Sequence, residues 1–230
     1  MSDWIAFWNS EHSIYVNARH RDVHYRAIAD NIMRYVPGPT ATVMDYGCGE
    51  ALHAGRIAAA AGRVILVDAA DNVRAGLAER FKQVANIEVR APDEIRRLDD
   101  RSVDVVMMNS VTQYLASPEL SALFVLFRRL LKPGGLLVVG DVVPPDVSPI
   151  ADVMALLNLA AANGFLIAAL SGLVRTAFSD YRRVRTRVGL TLHSEADMMA
   201  KLAAAGFTAA RAPVNIEPNP ARMTFLARPG

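Results

Sequence analysis

Apolar and polar positions along the chain fall into short apolar runs separated by longer stretches of helical spacing. Residues 4 to about 36 are helical in pattern, with Trp4, Phe7 and Trp8 on one face. A longer helix is expected over residues 16–35, ended by Pro37-Gly38-Pro39. Strands and helices then alternate. Apolar runs predict strands at 42–45, 64–68, 87–90, 103–109 and 136–142, with helices at 52–61, 72–84 and 118–131 between them. Lys132-Pro133-Gly134-Gly135 reads as a tight turn into the fifth strand, because proline fixes φ and the glycines supply the reversal. Near-continuous apolar strands alternating with helices imply an α/β fold with a parallel sheet covered on both faces.

The last third of the chain departs from this order. Between Asp152 and Arg175 no residue is charged, and the run 153–174 is long enough to span a bilayer by length alone. A single crossing would put the fifth strand and the later strands on opposite sides of a membrane, so spanning is rejected. Asn158, Asn163-Gly164 and Ser171-Gly172 also interrupt the run, and two short helices broken at Asn163-Gly164 are expected. Met154, Leu157, Phe165, Leu166 and Leu170 could wall an apolar substrate pocket; the insert could equally complete the core or form a homodimer contact. Ser194 is placed to cap a helix running to Ala205, with Gly206 as its stop. Strands are expected near 208–212 and 223–227, and their short connection, holding Pro213, Pro218 and Pro220, suits an antiparallel hairpin.

Length and composition suit one globular domain over 1–230, with an N-terminal helical segment (1–36) and a helical cap insert (146–190). The formal charge of +2 gives no field that favours nucleic acid. The single cysteine, Cys48, excludes an intramolecular disulfide and fits a reducing compartment. Met1-Ser2-Asp3-Trp4 lacks the basic start and apolar core of a signal peptide, so a cytoplasmic location is expected. Arg175, Arg182, Arg183, Arg185 and Arg187 follow the insert. Such a run is usually a solvated face, but here it could bind lipid headgroups or a substrate anion, with the N-terminal aromatics as an interfacial anchor, which leaves peripheral membrane contact open.

The chemistry concentrates at Val43-Met44-Asp45-Tyr46-Gly47-Cys48-Gly49-Glu50-Ala51. An apolar strand ends in an acid, a glycine turn follows, and then a helix begins. Glycines let a ligand approach the backbone closely, and the helix N-terminus offers free N–H groups to a carboxylate. The stretch resembles the first motif of the class I S-adenosylmethionine-dependent methyltransferases, acid-x-Gly-x-Gly-x-Gly, with Ala51 at the third glycine. That resemblance implies a Rossmann-like, doubly wound, seven-stranded sheet, mostly parallel with an antiparallel last strand, and S-adenosylmethionine as cofactor. Asp45, Gly47, Cys48 and Gly49 would then hold it, with Cys48 lining the site rather than acting as a nucleophile. Asp68, at the end of the second strand with Ala69 beside it, would take the ribose hydroxyls. The acid the family often carries near adenine falls on Pro92, with Asp93 next. Asp93 could reach the adenine amino group, or cap the following turn. Asn109 and Ser110, at the end of the fourth strand, would meet the methionine moiety, and Gln113 and Tyr114 the substrate. The Asn/Asp-Pro-Pro-aromatic pattern of amino-methylating nucleic-acid enzymes is missing, so the small-molecule branch is expected.

A sulfonium methyl needs little activation, so alignment and exclusion of water carry most of the work. A base is required only for a protonated acceptor. Asp141, near the end of the fifth strand, and His20 are the candidates, with Tyr15, His24 and His193 as further pocket groups. His20 and His24 lie one turn apart, but no third ligand accompanies them and no metal is expected. The leading expectation is methyl transfer to O, N or C of a small apolar metabolite. Two alternatives stand beside it: a lipid at a membrane surface, and a non-catalytic cofactor-binding scaffold or sensor, which the departures at Ala51 and Pro92 keep open. A nicotinamide oxidoreductase is disfavoured because Asp45 precedes the glycines.

Overall fold

The computed structural model describes residues 3–9, 15–146, 148–176 and 189–230. Seven strands form one sheet: β1 (Thr42–Tyr46), β2 (Arg63–Val67), β3 (Ile87–Arg90), β4 (Val103–Asn109), β5 (Leu131–Val142), β6 (Phe207–Arg211) and β7 (Met223–Pro229). Their order is β3-β2-β1-β4-β5-β7-β6. The first five run parallel, and β7 is antiparallel to both β5 and β6. This is the parallel sheet that the alternation of apolar runs implied, in the doubly wound, Rossmann-like form implied by the resemblance.

The helices are α1 (Asp3–Trp8), α2 (Ala18–Met33), α3 (Ala54–Ala60), α4 (Asp71–Phe81), α5 (Ser117–Leu130), α6 (Pro149–Asn163), α7 (Leu166–Thr176) and α8 (Glu195–Ala204). Alternation along the strands divides the core between the two faces of the sheet. Met44, Tyr46, Ile65, Val67, Val106 and Met108 join Phe124 and Phe127 of α5 and Met198 and Leu202 of α8. Val43, Val64, Leu66, Val105 and Met107 join Ile32 of α2, Ile57 of α3 and Leu77 and Phe81 of α4. Both faces of each central strand are covered, which is why those strands read as unbroken apolar runs. Each large side chain buried here is worth about 1.5–3 kcal/mol.

The N-terminal pattern forms two helices, the longer within its expected range, and Asn17 starts α2 by accepting the His20 N–H at 2.8 Å through Oδ1. Two local features differ from expectation. The segment 132–135 is a bulge inside β5 rather than a turn before it. Leu131 already pairs with Val103 and Leu136 with Val105, so extra residues are looped out where Gly134 has φ +78°. Gly172 lies within α7 and does not interrupt it. A Cβ there would sit 2.2 Å from Cγ1 of Val16, so the missing side chain is what lets α7 close on the start of α2.

The break expected at Asn163-Gly164 is present: Gly164 caps α6 with φ +73°. Ser194 caps α8 by accepting the Asp197 N–H at 3.1 Å. Among the described residues no helix is long and apolar enough to cross a membrane. Arg182, Arg183, Arg185 and Arg187 lie outside the described residues.

Candidate active site

The sheet order reverses between β1 and β4, which run side by side while their following helices pack on opposite faces. In open α/β sheets the crevice beyond the carboxyl ends of such strands is where ligands bind. The glycine turn lies there. Gly47 and Gly49 have φ of +72° and +56°, and the Gly47 and Cys48 N–H groups donate to Val67 O at 2.7 and 3.1 Å, pinning the turn to the end of β2. Ala51, at the third glycine position, also has positive φ, +39°.

Asp68 braces the same turn. Its Oδ2 accepts Gly49 N–H at 3.0 Å and its Oδ1 accepts Ala70 N–H at 2.8 Å. Each oxygen keeps a second lone pair for a hydroxyl. Asp45 is only 4% exposed, and among the described residues no protein donor reaches its carboxyl. Burial, reinforced by the Asp68 charge, pushes it up to about 7. A buried acceptor left open beside a glycine turn, with an acid facing it from the next strand, fits a nucleoside bearing an amine and ribose hydroxyls. Cys48 is buried in the apolar layer, and burial raises its thiol well above the usual range, which holds it protonated and argues against a nucleophile. Ala69 is exposed at the rim and Pro92 is half-buried. Asp93 is exposed and makes no capping bond, and Glu94 accepts the Ala91 N–H at 2.6 Å.

Two N-terminal helices close over this edge. Trp4 and Trp8 of α1 pack on Tyr114, ring centroids 4.6 and 5.9 Å apart, and Asn9 accepts the Asn72 N–H at 3.1 Å. The expected substrate contact Tyr114 is therefore covered by α1. From α2, the Tyr25 hydroxyl accepts Glu50 N–H at 2.9 Å, directly above Gly49. Tyr15 packs against His20, His24 and Tyr25 at 5.3–5.8 Å. His20 stacks on Phe165 at 5.1 Å, and its Nδ1 accepts Val16 N–H at 3.3 Å. That bond places the remaining ring proton on Nε2, which makes His20 a poor base. Phe165 is buried with Val23, Ala160 and Ala169, and Leu157 packs against that group, whereas Met154, Leu166 and Leu170 are exposed. The five residues expected to wall one pocket therefore divide between a small core under the insert and its open face.

Beyond β4 and β5 lies a polar cluster the sequence reading did not assemble. Asn109 Nδ2 donates to Glu217 Oε1 at 2.7 Å, and Ser110 Oγ donates to Asp141 Oδ2 at 2.8 Å. Arg222 bridges Asp141 at 2.5 Å and Asp152 of α6 at 2.9 Å. Asn215 donates to Asp141 at 3.3 Å and Asn219 to Asp152 at 2.6 Å. Burial raises the Asp141 carboxyl while Arg222, Ser110 and Asn215 pull it down. Asp141 is thus held by a guanidinium and two further donors, which leaves it badly placed to take a proton from a substrate. Glu217 lies 3.7 Å from His24. Nearby, Thr112 Oγ1, Gln113 Oε1 and His193 Nε2 are buried without a protein partner. His193 is fixed through Nδ1 to Asp197 at 2.7 Å. Among the described residues no group of side chains could hold a metal ion. Asn215, Glu217, Asn219 and Arg222 were missed because they sit in the proline-rich connection; its unusual density of polar residues was the available signal.

Residues 43–135 match the family model described as a methyltransferase domain. No curated protein matches. Solved structures share the fold at low identity. Magnesium protoporphyrin IX methyltransferase from Synechocystis with bound SAH is 17% identical, covering 99% of this chain and 93% of that one, with a TM-score of 0.60. The DhpI–SAH complex is 16% identical, covering 98% and 95%, at 0.61. A methyltransferase bound to the Haloferax volcanii Trm112 activator is 16% identical, covering 100% and 99%, also at 0.61. Those likenesses establish the fold. The family match runs from β1 through the glycine turn and Asp68 to the 132–135 bulge, so the segment that carries the candidate site is similar to a methyltransferase domain.

Proposed function

We propose that the protein methylates a small apolar metabolite, held between the glycine turn, the aromatic groups of α2 and the α6–α7 insert. The observation that carries this reading is the buried, unpartnered carboxyl of Asp45 beside two left-handed glycines at the β1/β4 crevice. S-adenosylmethionine, held as cofactor, would supply a methyl group on a positively charged sulfur. Asp45 would accept from its amine, Asp68 from its ribose, and Asn109 and Ser110 would border its methionine end, with Pro92 and Asp93 at the adenine end. Tyr15 and Gln113 would border the acceptor, and Trp4 and Trp8, packed on Tyr114, would exclude water above it. Structural neighbours whose names specify small substrates, the protoporphyrin and phosphoethanolamine methyltransferases, support a small acceptor, while its apolar character is read from the insert.

Calorimetric titration with S-adenosylhomocysteine tests the site. The wild type should bind. Asp68→Asn keeps an acceptor for the Gly49 N–H but loses the charge, and should weaken binding about 10- to 100-fold, the worth of a charge-assisted hydrogen bond. Absence of wild-type binding would overturn the reading. A second reading, a lipid acceptor at a membrane surface, is favoured by one observation: the insert leaves Ile150 71% and Ile167 86% exposed.

A further inference from the structure

Among the described residues, His24 and Glu217 form a further ionisable pair at the crevice. Glu217, on the connection between β6 and β7, reaches back to Asn109 at the end of β4 and to His24 on α2. Its position is built rather than incidental. Asn215 Nδ2 donates to the Glu217 carbonyl at 3.3 Å and to the Asn219 carbonyl at 3.0 Å, fixing the loop. Ile216 N–H donates to Thr224 Oγ1 at 3.0 Å, and Asn31 of α2 donates to Ile216 O, fastening the loop to the helix that carries His24. His24 is followed by Tyr25, whose hydroxyl holds the glycine turn, so the pair lies between the ends of β1 and β4. The Glu217 side chain is 8% exposed and that of His24 22%, which makes His24 the open member.

We infer that His24 and Glu217 are the proton-accepting pair of this site, and hence that the acceptor atom is an oxygen or nitrogen that arrives carrying a proton. The inference rests on the methyl-transfer reading. As the acceptor forms its bond to the methyl carbon, the carbon–sulfur bond breaks and its electron pair stays on sulfur. The acceptor's proton passes to His24 and on to Glu217 Oε2. Total charge balances, because the carboxylate and the positive sulfur are neutralised together.

The electrostatics suit this cycle. Burial, then the charge of Asp141, push Glu217 up to about 8, against the pull of Asn109 and Arg222. Burial, then His20, lower His24 to about 4, so its ring returns a proton readily. Tyr15 and Tyr25 also pack against His24, and burial keeps both hydroxyls protonated. A cation nearby draws the proton off Glu217; loss of that cation on transfer makes the carboxylate a stronger base as the proton arrives.

S-adenosylmethionine and S-adenosylhomocysteine differ only in the methyl and the charge at sulfur, which isolates this effect. Titration of each by calorimetry at pH 7.5, in buffers of different ionisation enthalpy, counts protons released. The wild type should release a substantial fraction of a proton more with S-adenosylmethionine than with S-adenosylhomocysteine. Asp45 and Asp68 meet the same hydrogen-bonding groups in both ligands, and comparison with Glu217→Gln isolates the share that belongs to Glu217. Glu217→Gln should bind S-adenosylhomocysteine within about 3-fold of wild type and lose the difference. Equal release by both ligands in the wild type overturns the pair, whatever the variant does, and leaves the cofactor site intact. A difference that survives in Glu217→Gln also overturns it. Failure of either ligand to bind overturns the methyl-transfer reading as well.

Discussion

At Ala51 a non-glycine residue holds φ +39° inside the glycine turn. A left-handed L-residue costs about 1–2 kcal/mol. Glycine would relieve that strain but lose a buried methyl and gain unfolded-state freedom, together about as large. Ala51→Gly should therefore stay within about 1 kcal/mol of wild type by urea unfolding, while Ala51→Val, β-branched and buried, should cost more than about 2 kcal/mol. Asp45 gives a pH-dependent test. Its folded carboxyl lies near 7 against an unfolded value of 3.8, so across that window the folded protein holds a proton the unfolded chain has released. Stability from this site is complete at low pH and falls as pH rises toward 7. Asp45→Asn should remove that loss, gaining on the order of 2 kcal/mol over wild type at pH 8 and nothing near pH 3.5. Denaturation curves at the two pH values check the sign, and a larger gain at the lower pH would refute the assignment.

At the scale of elements, most of the architecture was readable because each central strand is buried on both faces and flanked by helix signals. The 103–109 and 87–90 strands match their runs residue for residue. What could not be read were contacts made by distant segments. Asn109 and Glu217 are 108 positions apart, and Asp141 and Arg222 are 81 apart. Only the return of the β6–β7 hairpin against β5 brings them together, and no local periodicity encodes that. Hence Asp141, legible as an acid at a strand end, reads as a base until Arg222 is placed beside it. Arg222 also ties α6 to the sheet through Asp152. Arg222→Met leaves two acids without their partner and should destabilise by about 3–5 kcal/mol. Adding Asp141→Asn, which tolerates the left-handed φ of +57° at that position, should restore part of the loss. Strict additivity of the two changes would show that the pair is not coupled.

Across the whole molecule, the sheet and its helices bury their apolar faces, while the insert does not. Phe165, Ala160 and Ala169 face inward against Val23, and Ile150, Met154, Ile167 and Leu170 face out. Their helices are anchored at one end by Asp152 and at the other by the close approach of Gly172 to Val16, so the open face is held in place by the fold. A row of exposed large apolar residues is unfavourable in water unless something covers it. The lipid reading expects that cover to be an anionic bilayer, with the arginines that follow in sequence meeting headgroups. The protein should then co-sediment with phosphatidylglycerol vesicles at low salt and release at high salt. Ile167→Glu, on the most exposed of these residues, should weaken that binding about 10-fold or more, the worth of one buried isoleucine, and leave S-adenosylhomocysteine affinity unchanged. Sedimentation velocity on the same pair separates the other cover. A wild-type dimer that Ile167→Glu converts to monomer, with no vesicle binding, would assign the face to a second copy of the chain and sink the lipid reading.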